Sequence, residues 1–76
     1  MRHSRPMTTD ELREKVAAEV RVDFKGTPFE VSVNESPPTL TITFQGGQGL
    51  NCTYADGTLQ GIWTKFVGDW RRRFRR

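Results

Sequence analysis

The residue types that carry catalysis are scarce in this sequence. The single histidine, His3, falls in a polar leader, residues 1–7, which we expect to be disordered. The single cysteine, Cys52, alternates with Leu50 and Tyr54 on the apolar side of a predicted strand, which indicates a buried and unreactive thiol. Acid–base and nucleophilic mechanisms need such groups held together. We therefore expect a protein that is not an enzyme, with no catalytic residues, no cofactor and no metal site.

One pair of carboxylates could do chemistry. In the first hairpin predicted below, Asp23 lies directly across from Glu30, and two carboxylates so placed could share a proton or a metal ion. The flat sheet face around them offers no third ligand and no cleft. We interpret the two as a solvated pair whose repulsion is relieved by Arg21 and Lys25.

Basic side chains at the C-terminal end are the candidates for binding. The last six positions of the chain hold five arginines, whereas one or two cations would suffice to complement the negative end of a helix. Gly61 and Gly68 fall on the outward face of the predicted helix, where a smooth patch would let a partner approach; alternatively, Gly61 loosens the helix start and Gly68 is tolerated. The predicted partner-binding residues are Gly61, Lys65, Gly68, Arg71, Arg72, Arg73, Arg75 and Arg76.

The charge is distributed unevenly along the chain. The formal net charge is +3, yet residues 7–70 carry five basic side chains against nine carboxylates, so this body is near −4. Arg2 and Arg5 precede the body and five arginines follow it. The sequence therefore predicts an acidic domain with basic ends.

The length of 76 residues predicts one domain, residues 8–76, with a thin core. No apolar run is long enough for a transmembrane span or a secretory signal, so we expect a cytoplasmic protein. Translation could start at Met1 or at Met7.

The spacing of apolar residues predicts the helices and strands that would position the candidate residues. Thr8 and Glu11 have capping-box spacing, so a helix should begin at Thr8, and it should end near Glu19. Beyond it the apolar period changes to two. The segments 20–24 and 29–33 then predict a hairpin in which Phe24 pairs with Phe29.

The segment NESPP, residues 34–38, is interpreted as a connector to a second hairpin. There Phe44 should pair with Leu50, Ile42 with Cys52 and Leu40 with Tyr54, around the loop QGGQG. Apolar residues at spacings of three and four then predict an amphipathic helix over about 59–75, with Trp63, Phe66 and Trp70 at the centre of its stripe. Loss of Trp63 is expected to unfold the domain. The predicted fold is α+β, in the order α-β-β-β-β-α, with a four-stranded antiparallel sheet of two hairpins and both helices on one face.

These features favour a small binding module for a protein partner, of the inhibitor or adaptor type. Such a build is frequent among small proteins of phages and mobile elements, an analogy of size class. The alternative is a nucleic-acid-binding domain that uses the arginine-rich helix, but every strand aromatic is predicted to face the core and none is free to stack on bases. A third hypothesis is membrane-surface binding by the same helix, which is disfavoured because its apolar stripe is needed against the sheet. Self-association as a homodimer is also consistent with a thin core and open strand edges.

Overall fold

The described residues of the chain form two helices and three strands. A computed structural model describes residues 7–46 and 51–74 of the chain. The elements follow in the order α1 (Thr9–Asp23), β1 (Phe29–Glu35), β2 (Pro38–Phe44), β3 (Cys52–Ala55) and α2 (Leu59–Phe74). The strands form one antiparallel sheet in the order β1-β2-β3. The predicted α+β class with an antiparallel sheet is confirmed, but over the described residues the sheet has three strands rather than four.

Helix α1 begins where its capping signals place it. The Thr8 hydroxyl accepts a hydrogen bond from the Glu11 backbone N–H at 3.1 Å, and the Glu11 carboxylate accepts one from the Thr8 N–H at 3.0 Å. These reciprocal bonds satisfy backbone donors that the first helical turn cannot. Of the predicted disordered leader, residues 1–7, only Met7 is among the described residues, and it packs partly buried against the core.

The end of α1 corrects the sequence prediction. The helix continues past Glu19 to Asp23, so residues 20–24 are not a strand. Leu12, Val16 and Val20 are fully buried at a spacing of four, whereas Val22 is 62% exposed. The spacing from Val20 to Phe24 fits both a strand and one further helical turn. Helical hydrogen bonds are local, and here they extend the existing stripe by one turn.

The first hairpin is formed by β1 and β2. Phe29 pairs with Phe44, Val31 with Ile42 and Val33 with Leu40, so all apolar side chains of both strands share one face. NESPP is consequently not a connector between hairpins, because Glu35 pairs with Pro38 across the turn at residues 36–37. This register joins the longest alternating segments of the chain, which buries more apolar surface than the predicted short hairpin could.

The predicted carboxylate pair is therefore wrong. Glu30 lies opposite Thr43 in the sheet, and Asp23 is the last residue of α1. The Asp23 carboxylate instead accepts a hydrogen bond from the indole N–H of Trp70 at 2.8 Å.

The pairing of β2 with β3 follows the predicted register. Ile42 pairs with Cys52 and Leu40 with Tyr54. The third predicted pair, Phe44 with Leu50, lies outside the described residues, as does most of the QGGQG loop. Side chains that alternate out of the three strands leave the opposite sheet face polar: Glu30, Ser32, Asn34, Thr43 and Thr53 are exposed.

Both helices pack on the apolar face of the sheet. The buried core consists of Leu12, Val16, Val20, Leu40, Ile42, Phe44, Leu59, Ile62, Phe66 and Trp70. Trp63, expected at the centre of this core, is only half-buried, and the ammonium of Lys15 lies 5.1 Å from its ring centroid. Trp70 is the fully buried indole, at 1% exposure. Of the three aromatic residues expected at the centre of the α2 stripe, Phe66 and Trp70 are thus buried, and Trp63 is the one that is not.

Candidate functional site

The C-terminal ends of α1 and α2 lie together. Glu19 and Asp23 near the end of α1 contact Arg71 and Trp70 near the end of α2. Each helix end carries a partial negative charge from its unpaired carbonyl groups. This convergence gives cations at the end of α2 a favourable electrostatic environment before any partner is considered.

Arg71, Arg72 and Arg73 form the last turn of α2, and we call these three residues the basic end. Arg71 pairs with Glu19 at 2.8 Å, whereas Arg72 and Arg73 approach Asp69 at 3.7 and 3.5 Å. Their side chains remain 52%, 73% and 43% exposed. The predicted binding residues Arg75 and Arg76 lie outside the described residues. Each arginine of the basic end is thus engaged by a carboxylate of its own chain while much of its surface stays open.

Phe74 anchors the basic end to the core. Its ring centroid lies 4.4 Å from that of Trp70 and 5.2 Å from that of Phe24. The sequence left open whether this ring completes the core or protrudes as an apolar anchor; it is half-buried and packs against the core cluster. The aromatic contacts fix the direction of the last helical turn and therefore the positions of the neighbouring guanidinium groups.

Asp69 connects the basic end to the sheet. The Tyr54 hydroxyl donates to its carboxylate at 2.5 Å. This hydrogen bond, with the nearby charge of Arg73, lowers the pKa of Asp69. Burial raises the pKa of the half-buried Cys52 thiol on the same strand, which disfavours its reactive thiolate.

Tyr54 gives a pH-dependent prediction. Removal from water, and then its hydrogen bond to Asp69, raise the pKa of Tyr54 well above its ordinary value of 10.0. The folded chain therefore keeps the phenol proton where the unfolded chain loses it, so this contribution to stability is complete below pH 10 and declines at higher pH. Tyr54 is the single tyrosine of the chain, so absorbance at 295 nm reports it alone. We expect no ionisation near pH 10 until the protein unfolds; titration there with the fold intact would contradict the hydrogen bond.

Lys65 does not belong to the basic end. Its ammonium donates to the Ala55 carbonyl at 3.0 Å and pairs with Asp56 at 3.2 Å, both just before α2. The hydrogen bond from Lys65 lowers the pKa of Asp56. The contacts of this predicted binding residue thus lie beyond the opposite end of the helix, where they hold the β3–α2 connection.

The two glycines of α2 differ in their surroundings. A Cβ at Gly61 would lie 1.8 Å from the Asp56 Oδ2 atom, so the absence of a side chain lets Asp56 fold back over the first turn. The Gly61 N–H donates to the Thr58 hydroxyl at 2.9 Å. A Cβ at Gly68 would meet nothing within 4 Å. Gly61 is closely packed against a side chain, whereas Gly68 is exposed and open.

Replacement of these glycines by alanine is expected to have unequal effects. Gly68→Ala should stabilise the domain by about 0.5–1 kcal/mol because alanine restricts the unfolded chain and favours helix. Gly61→Ala has the same helix propensity but must displace Asp56 from Lys65, so its gain should be smaller or reversed. Urea unfolding of both variants measures the difference. Equal stabilisation would show that the Asp56 contact is unimportant.

Sequence reasoning identified the arginines but missed their partners. Asp69 is three and four residues before Arg72 and Arg73, a helical spacing that favours ion pairs and was visible in the sequence. Glu19 and Asp23 lie about fifty residues from their partners, Arg71 and Trp70, in the chain. No local signal could have found those two contacts.

Neither a metal-binding cluster nor a membrane-spanning helix is found in the described part of the chain. Its His, Cys, Asp and Glu side chains form no group of three or more that could hold a metal ion. Neither α1 nor α2 is long and apolar enough to cross a membrane. The chain matches no family model, no curated protein and no solved structure in the comparisons made.

Proposed function

We propose that this protein is a non-enzymatic module that binds a protein partner through the basic end, as an inhibitor or adaptor would. The observation that carries the proposal is the mixed charge of this surface. Three exposed arginines are interleaved with carboxylates of the same chain, Glu19 and Asp69. Arginine is favoured in protein interfaces because its planar guanidinium can form two parallel hydrogen bonds to one carboxylate.

The internal ion pairs do not prevent such binding. Exposed pairs contribute about 0–1 kcal/mol, because water and salt screen them and two long side chains must be ordered. A partner carboxylate can therefore replace Asp69 beside Arg72 at little cost. The remaining pairs would keep the guanidinium groups positioned, which reduces the entropy lost on binding.

The charge of the surroundings favours a protein over nucleic acid. Phosphate groups near the basic end would also meet Glu19, Asp23 and Asp69, on a body near −4. The strand aromatics Phe29, Phe44 and Tyr54 contact rings on the helix-covered side of the sheet, so they are not available for base stacking. Membrane-surface binding is disfavoured because the apolar stripe of α2 is buried in the core.

Substitution tests the proposal better than deletion, because truncation after Trp70 would also remove Phe74 and its core contacts. The test variant is Arg72→Gln/Arg73→Gln, and the control is Arg13→Gln/Lys25→Gln, which removes the same charge from exposed positions elsewhere. The immobilised full chain is incubated with cell extract, with and without nuclease treatment, and retained proteins are quantified by mass spectrometry. Labelled duplex DNA and RNA are tested in parallel over a range of salt concentrations.

We expect a specific protein to be retained by the parent and the control, and its affinity for the test variant to fall roughly 2- to 30-fold, as for two exposed charge contacts. Equal retention by test and control variants would exclude the basic end as the contact. Partner capture that disappears with nuclease, together with nucleic-acid affinity that declines steeply with salt, would favour the nucleic-acid alternative.

A further inference from the structure

The outer edge of β1 presents unpaired backbone groups. Residues in an antiparallel strand direct their N–H and C=O groups alternately to one neighbour and the other. The Gln45 N–H donates to the Pro28 carbonyl at 3.1 Å, so Pro28 and every second residue after it face β2. Phe44, which is opposite Phe29, correspondingly directs its N–H away from β1, to the Asn51 side chain at 2.8 Å. The residues that direct their backbone away from β2 are therefore Phe29, Val31, Val33 and Glu35. Within residues 7–46 and 51–74, no strand pairs with that side.

Apolar cover is incomplete along the same edge. Phe29, Val31 and Val33 are half-buried, whereas the residues that face them on β2, Phe44, Ile42 and Leu40, are at most 1% exposed. The strand is seven residues long. It contains no lysine or proline, which commonly protect an open edge from pairing, and its charged residues are Glu30 and Glu35. The outer edge of β1 is therefore open to pairing with another strand.

We propose that the partner of this edge is β1 of a second copy, paired antiparallel around a two-fold axis through Ser32. In that register Val31 faces Val33 of the other copy, and these two residues exchange backbone hydrogen bonds. Glu30 faces Asn34, so no like charges are opposed. Two three-stranded sheets would thereby become one continuous sheet of six strands, with a self-complementary interface.

Charge complementarity supports this occupant and this register. The guanidinium of Arg21 lies 5.8 Å from the ring centroid of Phe29. Glu35 of the second copy would lie opposite Phe29, on the same helix-covered face, because the two positions have the same parity in the strand. Arg21 and Glu35 are both exposed in the single chain. The two-fold axis would therefore form an Arg21–Glu35 pair twice, once on each side of the interface.

Other registers are less favourable. A shift by one residue would place apolar side chains of one copy beside the polar face of the other. A shift by two keeps the faces matched but shortens the paired segment, and it moves Glu35 away from Phe29 and Arg21. The Ser32-centred register alone uses all seven residues of β1.

Ultracentrifugation over a wide concentration range tests whether the chain associates. Substitutions that reverse the charge of Arg21 or Glu35 test whether β1 forms the interface. The full chain should form a dimer that dissociates on dilution. Arg21→Glu and Glu35→Arg should each weaken the dimer roughly 2- to 30-fold, since each opposes like charges at two symmetry-related contacts. An equimolar mixture of the two variants should restore affinity, because each chain then meets its complement. A chain that remains monomeric at all concentrations, or a mixture no tighter than its components, would overturn the proposal.

Cysteine cross-linking tests the register itself. In a Cys52→Ser background, Ser32→Cys places two thiols on opposing residues about 4.5 Å apart between Cα atoms, within the range of a disulfide. The matched control Glu30→Cys places its thiols four residues out of register, about 13 Å apart. We expect oxidation to give a covalent dimer only with Ser32→Cys. Equal cross-linking of both variants, or preferential cross-linking of Glu30→Cys, would exclude this register. None of these positions lies in the basic end, so the outcome is independent of the proposed function.

Discussion

Replacement of Trp70 by alanine is expected to unfold most of the protein at 25 °C. Trp70 is 1% exposed, its ring contacts Phe24, Phe66 and Phe74, and its indole N–H donates to Asp23. Truncation of a buried tryptophan costs about 3–5 kcal/mol through lost burial and the cavity left behind. A single core of this size rarely supplies more than roughly that amount. The substitution also removes a hydrogen bond from the Asp23 carboxylate at the end of α1.

Trp63→Ala is the matched control, because it removes the same side chain from the same helix. Trp63 is half-buried, and the ammonium of the exposed Lys15 lies over its ring. We expect a loss of about 1–2 kcal/mol, in proportion to its smaller buried area. Urea unfolding followed by far-UV circular dichroism compares the two variants. A larger loss for Trp63→Ala than for Trp70→Ala would contradict the orientation of α2.

Val20→Asp should also abolish folding, whereas Val22→Asp should not. Val20 is fully buried in the core, and an isolated carboxylate there has no partner to offset its desolvation, a cost of more than roughly 4 kcal/mol. Val22 is 62% exposed. Aspartate at that position loses no buried contact, and its repulsion from the negative helix end costs about 0.3–1 kcal/mol.

This pair of variants discriminates between helix and strand over residues 20–24. In a strand both valines would lie on the core side, and either substitution would unfold the chain. Thermal unfolding by circular dichroism gives the answer. A folded Val20→Asp variant, or loss of folding in both, would contradict the extension of α1 to Asp23.

The sequence predicted those elements whose signals are local. The Thr8 capping box depends on residues three apart, and the β2–β3 register depends on two short segments that alternate without a competing period. The amphipathic stripe of α2 was recognisable from spacings of three and four. Each of these predictions agrees with the structure where its residues are described.

The prediction of the first hairpin was wrong because the helical and the strand periods of apolar residues overlap in this segment. The spacing of Val20 and Phe24 is compatible with a strand and with a helix. Only Val22 distinguishes the two structures, because it would face the core in a strand but is exposed in the helix. The choice depends on how much apolar surface β1 buries against β2, which is a property of the whole sheet. The NESPP turn was misinterpreted for the same reason: two prolines excluded a central strand, but they did not exclude a turn between paired strands.

The candidate site was predictable in part. Its cations were evident from the excess of arginine, and Asp69 lies within one helical turn of them. The roles of Glu19 and Asp23 depend on the meeting of two helix ends, which no spacing in the sequence reveals. Lys65 was grouped with the arginines by proximity in sequence, although its contacts are at the start of α2.

The proposed function requires that the apolar stripe of α2 is buried in the core, so that only its arginines are available to a partner. The fluorescence of Trp70, measured without Trp63, tests this requirement most directly. In a Trp63→Phe variant the remaining indole should emit at the blue wavelengths of a buried ring, resist quenching by acrylamide, and stay unchanged when anionic vesicles are added. Emission typical of an indole in water, or a blue shift that appears only with vesicles, would contradict this arrangement and point to the membrane surface instead.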